Sequence, residues 1–214
     1  MKLVKFAAVA ALLMGAHSAS AATIVSAVGA TASNQLGGYE IGKTINQSGL
    51  SSGYTSGVTD FDTYIGSGPT HTLSASDEWF TETGVTDATV TYDLGSVMSI
   101  DRMALWGEES SGFSNAGVYG SADGITYSLL SMIAPVDNLI GSDYGAEIFG
   151  WATAAIQFVQ LRITGCPQPE NQYAGCAMGE IAFSQVAAVP VPGSILFLMT
   201  GFGALVATRR RKKA

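Results

Sequence analysis

Two tryptophans in this chain stand beside carboxylates. That pairing suits a sugar, whose apolar ring face stacks on an indole while acid oxygens take its hydroxyls. Trp79 follows Asp77 and Glu78, and Trp106 precedes Glu108 and Glu109. Trp79 is flanked by charge and is expected to be exposed. Trp106 closes an apolar run, so for it core packing competes with ligand contact. Phe113, in a Gly/Ser stretch, is a third aromatic candidate.

Catalytic patterns are weaker. Gly49-Leu50-Ser51-Ser52-Gly53 fits the G-x-S-x-G nucleophile spacing, with His71 downstream and Asp60 and Asp62 between them. That elbow needs a strand, a sharp turn and a helix to expose its serine. No helix is expected after Gly53, and Gly/Ser loop composition accounts for the match. A glycosidase needs two converging carboxylates, but nothing in the pattern of the 17 acids selects a pair. A zinc hydrolase would have only His71 outside the first residues and would need an acid-rich ligand set. The chain is expected not to be an enzyme.

The elements that must position these residues read as β-structure. Val90, Tyr92 and Leu94 alternate with Thr91 and Asp93, the period of a half-buried strand, before Gly95-Ser96 breaks the run. Met103 and Leu105 resume the alternation. Gly107 to Gly117 reads as a polar loop outside the core, and a strand begins at Gly117. Asp123-Gly124 supplies the positive backbone dihedral of a tight hairpin, so Tyr127 to Ile133 should return antiparallel. Val159, Leu161 and Ile163 point inward between Phe158, Gln160 and Arg162. Thr23–Val28, Glu78–Phe80 and Met178–Ser184 are further strands. Residues 29–70 form a long polar stretch with few strands expected, of the kind used as a functional or cation-ordered loop. No helical period stands out and no repeat is present. The fold class is all-β, a jelly-roll sandwich.

Both ends lie outside that domain. Lys2 and Lys5, the apolar run Phe6–Gly15 and the small residues up to Ala22 make a secretory signal peptide, residues 1–21, rather than a buried helix. The domain spans 22–186. Residues 187–214 carry Val189-Pro190-Val191-Pro192, an uncharged run and the basic end Arg209–Lys213, an arrangement expected to cross the membrane with its basic end cytoplasmic. This tail resembles the PEP-CTERM sorting signal handled by the membrane transpeptidase exosortase. Val191 stands where the motif has glutamate, as in VPxP variants. A permanent single-span anchor is the alternative.

The whole chain has a formal charge of -7. Between the two ends only Lys43, Arg102 and Arg162 remain against 17 acids, about -14 by count. Such a surface repels nucleic acid and anionic lipid. It would accept a bound cation, although solubility alone is served equally well. Cys166 and Cys176 are the only cysteines. In an oxidising compartment they are expected to form a disulfide closing CPQPENQYAGC, with no CxxC pair or nearby histidine for a zinc site.

VTYDLGSVMSIDRMALW, YGSADGITYS, QFVQLRITG and MGEIAF occur in the order and spacing of the discoidin, or F5/8 type C, galactose-binding-like domain, and over Thr89–Phe183 the chain resembles that family. The resemblance implies an eight-stranded jelly roll that binds sugars or other surface ligands through its loops. It also implies a structural calcium ion. Glu180 stands at the acid of the closing motif, and INQSGLSSGY matches the ligand loop, with Asn46 at the acid position and Ser51 or Ser52 at the later hydroxyl. Carbonyls of Ser48, Leu50 and Ala177 would complete the six to eight oxygens. The function expected is that of an exported, surface-sorted, non-enzymatic protein that binds carbohydrate such as exopolysaccharide. The alternative is a structural or adhesion protein of the envelope or biofilm with a protein partner and no sugar site.

Overall fold

A computed structural model of the chain describes residues 22–170 and 172–186. The signal peptide, the Val189–Pro192 motif and the expected transmembrane helix lie outside the described residues. Among those described, no helix is long and apolar enough to cross a membrane.

The strands are β1 (Thr23–Val25), β2 (Gly29–Ala32), β3 (Thr70–His71), β4 (Trp79–Phe80), β5 (Asp87–Trp106), β6 (Asn115–Ser121), β7 (Ser128–Ile133), β8 (Tyr144–Gly145), β9 (Glu147–Thr164), β10 (Ala177–Met178) and β11 (Glu180–Gln185). The principal sheet runs β1-β11-β5-β9-β6-β7, with β2 also paired to β5. Two small ladders, β10-β4 and β3-β8, complete an all-β sandwich. All the pairings in the principal sheet are antiparallel.

The alternation read at Val90–Leu94 is present: Val90, Tyr92 and Leu94 are buried while Thr91 and Asp93 are half-buried. Gly95 does not end the strand, however. β5 continues for 20 residues beside β9, and the register shifts between Asp93 and Met98. Gly95 takes φ +83° at this irregularity, a value that favours glycine. The expected break is therefore a bulge within one bent strand. The Asp123-Gly124 hairpin joins β6 to β7 as read, with Ser128 opposite Gly120. Val159, Leu161 and Ile163 are buried on β9.

A second correction concerns residues 107–113. Gly107, Glu108, Glu109, Ser111, Gly112 and Phe113 are all buried, so this polar segment belongs to the interior. It is folded inward by hydrogen bonds rather than by hydrophobicity. The Glu108 carboxylate accepts from the Ser110 amide at 2.8 Å, the Ser110 hydroxyl and the Gly112 amide at 3.3 Å. The Ser111 hydroxyl donates to the Gly175 carbonyl.

The core lies on both faces of the β11–β5 pair. Met103, Leu105, Ile181 and Phe183 join the main cluster with Val90, Tyr92, Val118 and Trp79. Ala104, Trp106 and Ala182 face a second cluster with Ile24, Phe61, Tyr64 and Tyr144. Phe61 and Tyr64 of that second layer come from the long polar stretch, where they lie in the short helix α1 (Phe61–Gly66). Its polar surface hides the usual signals. Asp60 caps the helix by accepting from the Thr63 amide at 2.7 Å, and Phe61 and Tyr64, three apart, face inward.

Candidate functional site

The disulfide expected between Cys166 and Cys176 is formed, with Cα atoms 4.9 Å apart. It ties off a loop that is strapped to the end of β4. The Tyr173 hydroxyl donates to the Thr81 carbonyl at 2.6 Å, and the Cys176 amide donates to the Thr81 hydroxyl at 2.9 Å. The other edge of the loop rests on the buried segment after β5, where the Ser110 carbonyl accepts from the amides of Gln172, at 2.7 Å, and Tyr173, at 3.2 Å. A third stretch, after β2, is laid against β4 by Leu36 N–H to Phe80 O at 2.8 Å and by the Trp79 indole N–H to Asn34 O at 3.3 Å.

Between these stretches lies a cleft of about 260 Å³ lined by Leu36, Tyr39, Ala75, Phe80, Ser110, Gln172 and Tyr173. Phe80 forms its buried floor. Tyr39 and Tyr173 stand edge-on to that ring at centroid distances of 5.5 and 5.3 Å, with interplanar angles of 84° and 82°. Both tyrosines are partly exposed and Gln172 is exposed. An apolar wall with a few polar groups at its rim suits a small ligand that has one apolar and one hydroxylated face.

None of the five residues expected to touch ligand lines this cleft. Trp79 and Trp106 are each 0% exposed. Trp79, expected at the surface, sits instead in the main core, since the adjoining Glu78 is buried as well and the charge beside the indole does not mark an exposed face. Trp106 packs in the second cluster and donates its indole N–H to Pro69 O at 3.0 Å. Glu78, Glu108 and Glu109 are buried as well, which corrects their reading as open hydroxyl acceptors. Phe113 is also core. Sequence reasoning missed Tyr39, Phe80, Gln172 and Tyr173. The signal was present for Tyr173, an aromatic in the polar cysteine loop, and absent for Tyr39, whose role depends on a distant strand.

The acids of the two expected tryptophan sites meet in one place. Glu78, Glu108 and Glu109 each present a carboxylate oxygen, and these lie within 4.8 Å of one another. Burial pushes Glu78 up to about 7, against a hydrogen bond from Tyr144 that favours its charged form, and the Glu109 charge adds to the rise. Burial likewise raises Glu108, and contact with the Glu109 carboxyl adds to this. The Tyr144 hydroxyl donates to Glu78 Oε1 at 2.6 Å, and the His71 ring stacks on Tyr144 at 5.3 Å. Burial lowers the His71 pKa, and its Nδ1 stands 3.7 Å from Glu78 Oε1.

Glu180 does meet the Asn46 loop. Its Oε2 accepts the Gln47 amide at 3.0 Å, while Oε1 is buried without a hydrogen-bond partner. Burial pushes this carboxyl up to about 9. Asn46 is exposed and its Oδ1 accepts from the Ser48 amide at 2.8 Å; the Ser51 hydroxyl accepts from the Thr70 amide at 2.9 Å. Asn46 thus serves the backbone of its own loop and Ser51 that of β3, and the orphaned oxygen of Glu180 is the feature that fits a cation there.

The nucleophile pattern is not an elbow. Ser51 is held against Thr70, Asp60 caps α1, and Asp62 forms a two-pronged pair with Arg102 at 2.8 and 2.9 Å. His71 is fully buried beneath Gly49, where a Cβ would come within 2.5 Å of the ring.

No protein-family model and no curated protein matches the chain. Its fold does match solved structures. Chitosan-binding module 1 of a chitosanase/glucanase from Paenibacillus sp. IK-5 is 18% identical, with a TM-score of 0.50 over 74% of this chain and 95% of that one. The family 32 carbohydrate-binding module of NanJ from Clostridium perfringens, solved with galactose, is 10% identical, with a TM-score of 0.50 over 77% and 98%. CpGH89CBM32-5 from the same organism, solved with GalNAc-β-1,3-galactose, is 13% identical, with a TM-score of 0.51 over 72% and 93%. At these identities the likeness is one of fold. The chain has the jelly-roll β-sandwich of the galactose-binding-like carbohydrate modules.

Proposed function

We propose that this is an exported, non-enzymatic carbohydrate-binding protein, and that the Tyr39–Phe80–Tyr173 cleft is its sugar site. The cleft carries the reading. Two partly exposed tyrosines flank a buried phenylalanine, with Gln172 and Ser110 at hand for hydroxyls. Its volume of about 260 Å³ is near the low end of small-ligand pockets and suits one ring of a longer glycan. The shared fold of modules solved with sugars supports the same class of ligand.

The acidic balance of the domain points to a neutral or cationic polysaccharide, such as exopolysaccharide of the cell's own envelope or matrix. The N-terminal signal peptide would deliver the domain across the inner membrane. The tail would hold it at the surface by its hydrophobic helix until an exosortase-type enzyme processes it. Calcium at Glu180, with carbonyls of the Asn46–Ser51 loop, would brace that loop structurally. The test is a glycan array probed with the full-length chain in mild detergent, with Tyr39→Ala and Tyr173→Ala as controls. Binding to some glycans that both variants lose supports the cleft. Binding to none sinks the sugar reading and favours a structural or adhesion role with a protein partner.

A further inference from the structure

Glu78, Glu108 and Glu109 come from separated positions, Glu78 before β4 and the other two after β5, yet their carboxylates share one buried spot. Three carboxylates in an interior need a counter-charge or protons, because an isolated buried charge is costly. Among the described residues no lysine or arginine supplies it. Lys43 donates to the Ser76 carbonyl, Arg102 pairs with Asp62, and Arg162 lies over the Tyr119 ring at 3.9 Å. His71 Nδ1 stands 3.7 Å from Glu78 Oε1 and would offer at most one positive charge against three carboxylates.

Glu109 gives an independent pointer. It is only 8% exposed, so more than nine-tenths buried, and its Oε2 has no hydrogen-bond partner. A carboxylate oxygen of Glu109 lies within 4.8 Å of those of Glu78 and Glu108, and its carboxyl touches that of Glu108. Buried acceptors are left orphaned rarely, and an ion is one of the things that satisfies them. Oxygens bound to one calcium ion sit about 2.3–2.6 Å from it, so they lie up to about 5 Å apart. The spacing of the trio falls within that limit.

The geometry points to a divalent-cation site, for a hard oxygen-seeking ion such as calcium, formed by Glu78, Glu108 and Glu109 and separate from the Glu180 loop. The ion would offset two of the cluster's three charges and so steady the Ser110 turn that Glu108 grips.

The experiment counts ions in the full-length chain, purified in mild detergent and stripped with a chelator. Calcium at pH 7.5 is titrated by equilibrium dialysis with elemental analysis. In parallel, terbium luminescence is excited through the neighbouring indoles. Wild type should bind one equivalent more than Glu109→Gln, or bind it at least tenfold more tightly, while Glu180→Gln keeps that equivalent. Glu78→Gln is the second variant should Glu109→Gln fail to fold. The proposal is overturned if the folded variants bind as many equivalents as wild type with the same affinity. It is equally overturned if wild type binds no ion that depends on the trio, the cluster then holding protons alone.

Discussion

The backbone carbonyl of Ser110 accepts the amide of Gln172 at 2.7 Å, joining the buried acid segment to the cysteine loop. Ser110 is itself held by Glu108, and the next residue of the loop is Tyr173. The aromatic wall of the cleft therefore hangs from two supports, one made of carboxylate hydrogen bonds and one of sulfur.

Tyr39→Ala and Tyr173→Ala should each weaken binding to a responsive glycan about tenfold, equivalent to about 1.4 kcal/mol. Both rings are partly exposed, so the thermal midpoint should fall far less than for a core substitution. Calorimetric titration with the best array glycan, beside a melting curve, checks both halves of this expectation.

Trp79→Ala and Trp106→Ala should behave in the opposite way. Each removes a wholly buried indole and its hydrogen bond, at a cost of about 3–5 kcal/mol. Urea unfolding should show that loss. A variant of either kind with wild-type stability and impaired binding would contradict the placement of these residues in the core.

Reduction of Cys166–Cys176, or the Cys166→Ser and Cys176→Ser pair, removes a closure that the chain-entropy treatment values at about 2.5–3 kcal/mol for a ring of this size. The glycan affinity should fall with it, since Gln172 and Tyr173 lie inside the ring. Comparison of binding before and after reductant, at a temperature where the chain stays folded, is the measurement.

Glu180→Gln should leave the calcium-free chain at least as stable as wild type, because it replaces a buried carboxyl with a neutral isostere. Calcium should then raise the melting temperature of wild type more than that of the variant, since an ion that binds the folded state stabilises it. Equal shifts in both chains would place the ion elsewhere.

At Asp123 the carboxylate accepts the amides of Ile125 and Thr126, each at 2.9 Å, which holds its pKa down to about 2. A lowered carboxyl favours folding in its charged form. Its contribution is therefore present above the ordinary value of 3.8 and is lost as pH falls towards 2. Urea midpoints from pH 5 to 2 should decline less steeply over that window in Asp123→Asn than in wild type.

What could be read from the sequence was what is local. Val90–Leu94, Val159–Ile163 and the Asp123-Gly124 hairpin declare themselves through period-two burial and a turn dipeptide. At Met103 and Leu105 the alternation marks one covered face only; Ala104 and Trp106 between them are buried too, because this part of β5 is covered on both faces. The segment after β5 defeats the same reasoning, because polar residues are read as outward whereas Glu108, Ser110 and Ser111 turn inward on hydrogen bonds of their own. Of the cleft, local pattern marks Tyr173 alone, as an aromatic in the polar cysteine loop. Tyr39, Phe80 and Tyr173 are far apart in sequence, and only the strapping of Leu36 and Tyr173 to β4 and the residue after it brings them together.

A nascent chain whose two thiols are still apart lacks the fastening that keeps Tyr173 facing Phe80. That sulfur fastening waits for an oxidant. On the export proposed above, a polypeptide made in a reducing interior would complete its grip only after crossing into an oxidising compartment.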